Sequence, residues 1–71
     1  MILSEVKNGK VIIENIPHHQ SYVQLIGMGI IKGVQIEIIK NDRGLIIVRI
    51  GNSRIAISRK ITKHVKVKKV T

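Results

Sequence analysis

Isoleucine and valine together supply 24 of the 71 residues, sixteen and eight respectively. Nothing else about this chain narrows its fold as much. Branching at Cβ restricts χ1, which costs little on a pleated surface and more in a helix. Only three leucines, one alanine and one tyrosine accompany them, and Phe and Trp are absent. A mainly β domain is therefore expected before any periodicity is counted. A chain this short buries only about 60% of its unfolded surface, so it forms one domain, over residues 1–71, with little stability in reserve. It contains no cysteine, so neither a disulfide nor a thiolate zinc site can reinforce it.

The local patterns agree with that class. Residues 11–16, VIIENI, read as a first strand between the breakers Gly9 and Pro17. In residues 18–26, HHQSYVQLI, Tyr22, Leu25 and Ile26 recur at helical spacing and Val23 adds to the apolar side. Ser21 is the expected cap of this short helix. Residues 34–40, VQIEIIK, alternate, with Val34, Ile36 and Ile38 on one face. Asn41-Asp42-Arg43-Gly44 has the composition of a turn. Residues 45–50, LIIVRI, form a strand expected to be buried on most of both sides, and Gly51-Asn52 signals a tight hairpin. Residues 53–57 return as a strand with Ile55 and Ile57 inward. Residues 58–63 make a short connection of about one helical turn with Ile61 pointing in. Residues 64–70, HVKVKKV, close the chain with Val65 and Val67 in and Lys66 and Lys68 out. The sum is about five strands and one short helix, between the first and second strands. Strands this short call for a closed or nearly closed barrel, which protects their edges.

One stretch invites a different reading. Residues 25–33, LIGMGIIKG, hold three glycines. A dinucleotide fingerprint needs G-x-G-x-x-G between a strand and a helix; here the spacing is one residue longer and the helix comes first. A Walker A loop needs Lys-Ser or Lys-Thr after its last glycine, and Gly33 is followed by Val34. The architectural reading holds instead. Gly27 or Gly29 ends the helix in the left-handed conformation, and Gly33 permits a tight entry into the strand. Met28, Ile30 and Ile31 are expected to stay exposed or half-buried around that corner. Met28 reads either as core filler or as part of an adaptable binding surface.

Read in order, these segments resemble the FeoA family, small cytoplasmic proteins associated with bacterial ferrous iron transport. A strand, a short helix ending in Leu-x-x-Met-Gly-Ile-x-x-Gly and a second strand are matched by Leu25, Met28, Gly29, Ile30 and Gly33. Residues 55–59, IAISR, are similar to the family's Ile-Ala-Leu-Arg segment, and Val65-Lys66-Val67 to its final strand. Leu3-Ser4-Glu5 followed by Gly9 is similar to its start, so the match spans about residues 2–70. Gln24 stands where the family usually has Arg, Lys32 where it usually has Pro, and Leu45-Ile46 where Asp-Pro is common. These departures bear on arginine-dependent contacts and not on the fold. The resemblance implies an SH3-like small barrel. It also implies a non-enzymatic accessory role toward the large ferrous iron permease FeoB, which carries a cytosolic GTP-binding domain. FeoA-like domains also occur fused to iron- or manganese-dependent repressors, as interaction modules. The expected partner surface is the corner Leu25, Met28, Gly29, Ile30 and Lys32.

Thirteen Lys and Arg against four acids give a net charge of +9. Such a chain seeks an anion: nucleic acid, an anionic membrane surface or an acidic protein face. The densest segment holds Arg59, Lys60, Lys63, Lys66, Lys68 and Lys69 with no acid among them. Arg49 and Arg54 are expected to extend this basic face. A barrel that binds single-stranded nucleic acid stacks bases on aromatics, and only Tyr22 is available. Nucleic-acid binding is thus the alternative, disfavoured reading. Attachment of the C-terminal lysines to anionic lipid is compatible with docking on a permease.

Other chemistry is poorly supplied. Glu5, Glu14, Glu37 and Asp42 are scattered, and the serines lack a neighbouring base. His18 and His19 are adjacent and His64 is distant, which is not a ligand set. No catalytic residue, metal site or cofactor is expected. The longest apolar run is four residues, Leu45 to Val48, against roughly 20 for a membrane span. No signal-peptide pattern opens the chain. A soluble, cytoplasmic protein is the expectation.

Overall fold

The structure, a computed structural model, describes residues 1–42 and 44–70. Five strands, β1 (Gly9–Asn15), β2 (Gln35–Asp42), β3 (Leu45–Ile50), β4 (Ser53–Ser58) and β5 (Lys66–Lys69), form one sheet in the order β4-β3-β2-β1-β5. Every pair is antiparallel. A short helix, α1 (Val23–Gly27), lies between β1 and β2, and a single turn, α2 (Arg59–Thr62), joins β4 to β5. The register slips between Ile13 and Asn15 on β1 and between Ile38 and Lys40 on β2. Such bulges bend strands and sharpen twist, which curls the sheet on itself. The result is an SH3-like small barrel.

The alternation read from the sequence sets the inner face. Val11 and Ile13, Ile36 and Ile38, Ile46 and Val48, Ile57, Val65 and Val67 are all buried. Val34 and Ile55 pack against them half-buried. Each such side chain contributes about 1.5–3 kcal/mol on leaving water. The core also takes Leu3 and Val6 from the N-terminal segment, which had no pattern of its own. The Leu3 amide donates to the Val65 carbonyl at 2.8 Å and the Val67 amide to the Met1 carbonyl at 2.8 Å, so this segment runs along the outer edge of β5.

Several expectations change. β3 is buried on its inner side only: Leu45 is exposed and Ile47 half-buried, because no described segment covers the outer face of the sheet there, while Ile50, on the inner side, packs half-buried against the core. Asn41 and Asp42 continue β2 instead of forming a turn, since each pairs with β3. Arg43 lies outside the described residues. Gly44 has φ of +78°. The side-chain cap lies one turn before α1 and is His19, not Ser21: its Nδ1 accepts from the Ser21 amide at 3.1 Å, and α1 itself follows Tyr22 with no side-chain cap. A 3₁₀ turn over Gln20–Tyr22 leads into α1. The connection after β4 is one helical turn as expected, capped by Ser58 Oγ on the Lys60 amide at 3.2 Å, with Ile61 against the core.

Candidate partner-docking surface

The glycine corner resolves into a helix stop. Gly29 has φ of +88°. Its amide donates to the Ile26 carbonyl at 3.0 Å, and the Ile30 amide to the Leu25 carbonyl at 2.9 Å. These are the two bonds of a Schellman motif, which satisfies carbonyls the helix end would leave unpaired. The motif brings the residue after the glycine back toward the helix, so Ile30 and Leu25 both enter the core, at 0% and 3% exposure. The expectation that Ile30 stays at the surface is thereby corrected. Gly27 remains inside α1, and Gly33, at φ +92°, donates to the Ile13 carbonyl at 2.7 Å, tying the corner to β1.

What the corner exposes is a different set. α1 has five residues, too short to bury two faces. Tyr22 and Leu25 point inward, which turns Val23 and Ile26 out, at 60% and 56% exposure. Ile31 is 47% exposed and Met28 44%. Val23, Ile26 and Ile31 line one groove of about 490 Å³ with Ile16, Pro17 and Lys32. Among the described residues its walls contain no carboxylate, and Lys32 is its cation. Met28 faces the other side of α1, over a smaller cavity of about 180 Å³ shared with Ile55, Ile57 and Ile61.

Of the sequence-predicted corner, Met28, Gly29 and Lys32 are thus at the surface, while Leu25 and Ile30 support it from within. Helical spacing puts Ile26 with Tyr22 and Leu25 on the apolar side, to which Val23 adds, yet Val23 and Ile26 face out. Two apolar pairs one residue apart, Tyr22 with Leu25 and Val23 with Ile26, are the signal that both could not be buried on so short a helix.

The basic residues do not share one face. Arg59 turns toward the chain's own carbonyls: its guanidinium donates to the Asn41 side chain, and to the carbonyls of Ser4 and Asp42 at 3.4 Å. Lys60 borders a third groove, of about 550 Å³, with Pro17, Tyr22, Ile61, His19 and His64. Lys66 and Lys68 project from the outer face of β5, flanking the buried Val67. Lys69 is exposed opposite Val11, and Lys63 is exposed beyond α2. On the outer sheet face a row forms that sequence spacing does not reveal. Lys10 pairs with Glu37, Glu37 with Arg49, and Arg49 with Arg54. Arg49 donates to Glu37, which leaves Arg54 without an acid among the described residues.

His19 borders two grooves, sharing the first with His18 and the third with His64, which is distant in sequence. Among the described residues there is no group of three or more His, Asp or Glu able to hold a metal ion. No described helix is long and apolar enough to cross a membrane.

The sequence matches the FeoA domain family over residues 1–69. No curated protein matches it. Among solved structures, it is similar to the crystal structure of an iron uptake regulatory protein, FeoA. The two are 33% identical with a TM-score of 0.87, over 99% of this chain and 97% of the other. It is similar to the solution structure of iron(II) transport protein A from Clostridium thermocellum, 26% identical with a TM-score of 0.83, over 99% of this chain and 46% of the other. The crystal structure of ScaR with bound Zn²⁺ contains the same fold, with a TM-score of 0.86 at 19% identity, over 99% of this chain and 37% of the other.

Proposed function

The chain belongs to the FeoA domain family, and on that premise we propose that it is a cytoplasmic, non-enzymatic accessory protein of ferrous iron uptake. Residues 1–71 act as one domain that docks on the cytosolic part of a FeoB-type permease and modulates transport. Two similar structures support the iron role: one is an iron uptake regulatory protein, the other an iron(II) transport protein.

The observation that carries the docking reading is the groove beside α1. Val23, Ile26 and Ile31 are three large apolar side chains, each about half exposed, converging on one cleft of about 490 Å³ with Lys32 at its edge. Single exposed apolar residues need no explanation, but a contiguous concave set does. An apolar anchor in such a cleft, with one charge at the rim, is the usual composition of a protein interface centre. Lys32 belongs to this surface, Met28 flanks it from the other side of α1, and Gly29, Leu25 and Ile30 hold its shape. The outward lysines of β5 are free to face anionic lipid beside the permease.

The test is an amide chemical-shift titration of the labelled protein with the soluble GTP-binding domain of the cognate permease, beside a DNA duplex at two salt concentrations. Shifts clustered over residues 16–32 with the permease domain are expected. Shifts confined to the basic segment and produced by DNA, disappearing at higher salt, would replace this reading with nucleic-acid binding.

A further inference from the structure

The two ends of the sheet are treated differently. The outer edge of β5 is covered by the chain's own residues Met1 and Leu3, through two backbone hydrogen bonds. Among the described residues the outer edge of β4 has no strand beside it.

The register shows which groups that edge presents. β3 and β4 pair as Ile46↔Ile57, Val48↔Ile55 and Ile50↔Ser53, alternating with Leu45↔Ser58, Ile47↔Ala56 and Arg49↔Arg54. The Arg59 amide donates to the Gly44 carbonyl at 3.0 Å, one step beyond the Leu45↔Ser58 pair. Alternate antiparallel pairs exchange hydrogen bonds, so that bond fixes the phase. Ile57, Ile55 and Ser53 are bonded to β3, and the N–H and C=O groups of Arg54 and Ala56 point away from it. Both residues are exposed, and neither makes another backbone hydrogen bond among the described residues.

The two sides of this edge differ in chemistry. Inward lies the cavity of about 180 Å³ between β4 and α1, walled by Leu25, Met28, Ile55, Ile57 and Ile61. Outward lies Arg54, set directly across from Arg49. Like charges opposed across a strand pair are destabilising, and Glu37 is engaged by Arg49.

We propose that the β4 edge accepts an extended segment of another protein in which apolar and acidic residues alternate. The main chain of that segment bonds the free groups of Arg54 and Ala56. Its apolar side chains, opposite Ile55 and Ile57, fill the cavity under Met28, and its carboxylates, opposite Arg54 and Ala56, meet Arg54. This is strand addition: backbone bonds supply affinity and alternate side chains supply specificity. A second copy of this chain is a poor occupant, because it brings a net charge of +9 against +9. The inference does not depend on the permease, since it names a peptide chemistry and not its owner.

The probe is a capped seven-residue peptide alternating valine and glutamate, titrated into the labelled full chain. Two control peptides accompany it: one with lysine for glutamate, one N-methylated at the amides that would face β4. The valine–glutamate peptide is expected to shift the amides of Arg54 and Ala56 and to slow their hydrogen exchange. The N-methylated and lysine peptides are expected to bind at least about tenfold more weakly, the scale of one charge-assisted contact. Arg54→Glu should reverse the preference toward the lysine peptide. Ala56→Pro should abolish binding. If that variant does not fold, Arg54→Glu and the N-methylated peptide still decide the matter. Equal binding of the N-methylated peptide, shifts at Val23 and Ile26 instead of β4, or no response at millimolar peptide overturns the proposal. So does a concentration-dependent dimer in sedimentation with Arg54 and Ala56 protected in the absence of peptide.

Discussion

The guanidinium of Arg59 donates to the side-chain oxygen of Asn41, 18 residues earlier, and so joins the start of α2 to the end of β2. The other end of the Asn41 amide donates to the carbonyls of Ser4 at 2.9 Å and Val6 at 2.7 Å. One side chain therefore holds the N-terminal segment, β2 and α2 together.

Asn41→Ala removes a donor from each of two carbonyls, Ser4 and Val6, and one acceptor from the Arg59 guanidinium, which keeps its 3.4 Å bonds to the Ser4 and Asp42 carbonyls. A loss of about 1–3 kcal/mol is expected in denaturant unfolding. Arg59→Lys, on the exposed side of the same cluster, should cost less than about 1 kcal/mol. Equal losses would mean that the guanidinium's fork of donors, and not the Asn41 amide, holds the cluster.

The glycine corner offers a contrast of sign. Gly29→Ala places a Cβ on a residue at φ +88°, where its nearest neighbour, Ile50 Cδ1, lies at an ordinary 3.5 Å. The cost is then backbone strain alone, about 1–2 kcal/mol. Gly27 is helical and a Cβ there meets nothing within 4 Å, so Gly27→Ala should stabilise by about 0.4–1 kcal/mol. Thermal unfolding of the two variants should bracket the parent.

Ile26 and Ile30 are the same residue type on opposite sides of that corner. Ile30→Ala opens a cavity in the core and should cost about 2–5 kcal/mol. Ile26→Ala, at the surface, should change stability by no more than about 0.5 kcal/mol. Val23→Asp with Ile26→Asp should likewise leave the fold intact while removing binding of the permease domain. If the double variant binds at parental affinity, the groove is not the docking surface.

Glu37 stands between Lys10 and Arg49 in the outer row, with Arg54 beyond. Glu37→Gln leaves three neighbouring cations without an acid in that row. Because the pair is exposed, the destabilisation should stay below about 1 kcal/mol. It should be largest at low ionic strength and fade as salt is added, since screening acts within about 10 Å at 0.1 M.

Much of this molecule is local in origin. Alternating Val34, Ile36 and Ile38, the Gly51-Asn52 hairpin, and Val65 and Val67 between lysines specify strands and their inner faces by a period of two. That rule needs no knowledge of the partner strand, so the five strands and the short helix could be read from residue order alone. The surface of interest could not. Tyr22–Leu25 and Val23–Ile26 are equally apolar stripes on one short helix, and only the position of the barrel beneath it decides that the first is core and the second lines a groove. The basic residues are clustered in sequence, yet Arg59 turns to Asn41, Lys60 borders a groove with His19 and His64, and Lys66 projects outward. The Lys10–Glu37–Arg49–Arg54 row exists because four strands lie in register. Periodicity fixes which side of an element is apolar; which apolar side meets the core, which charges become neighbours, and which strand edge stays open are set by how distant segments pack.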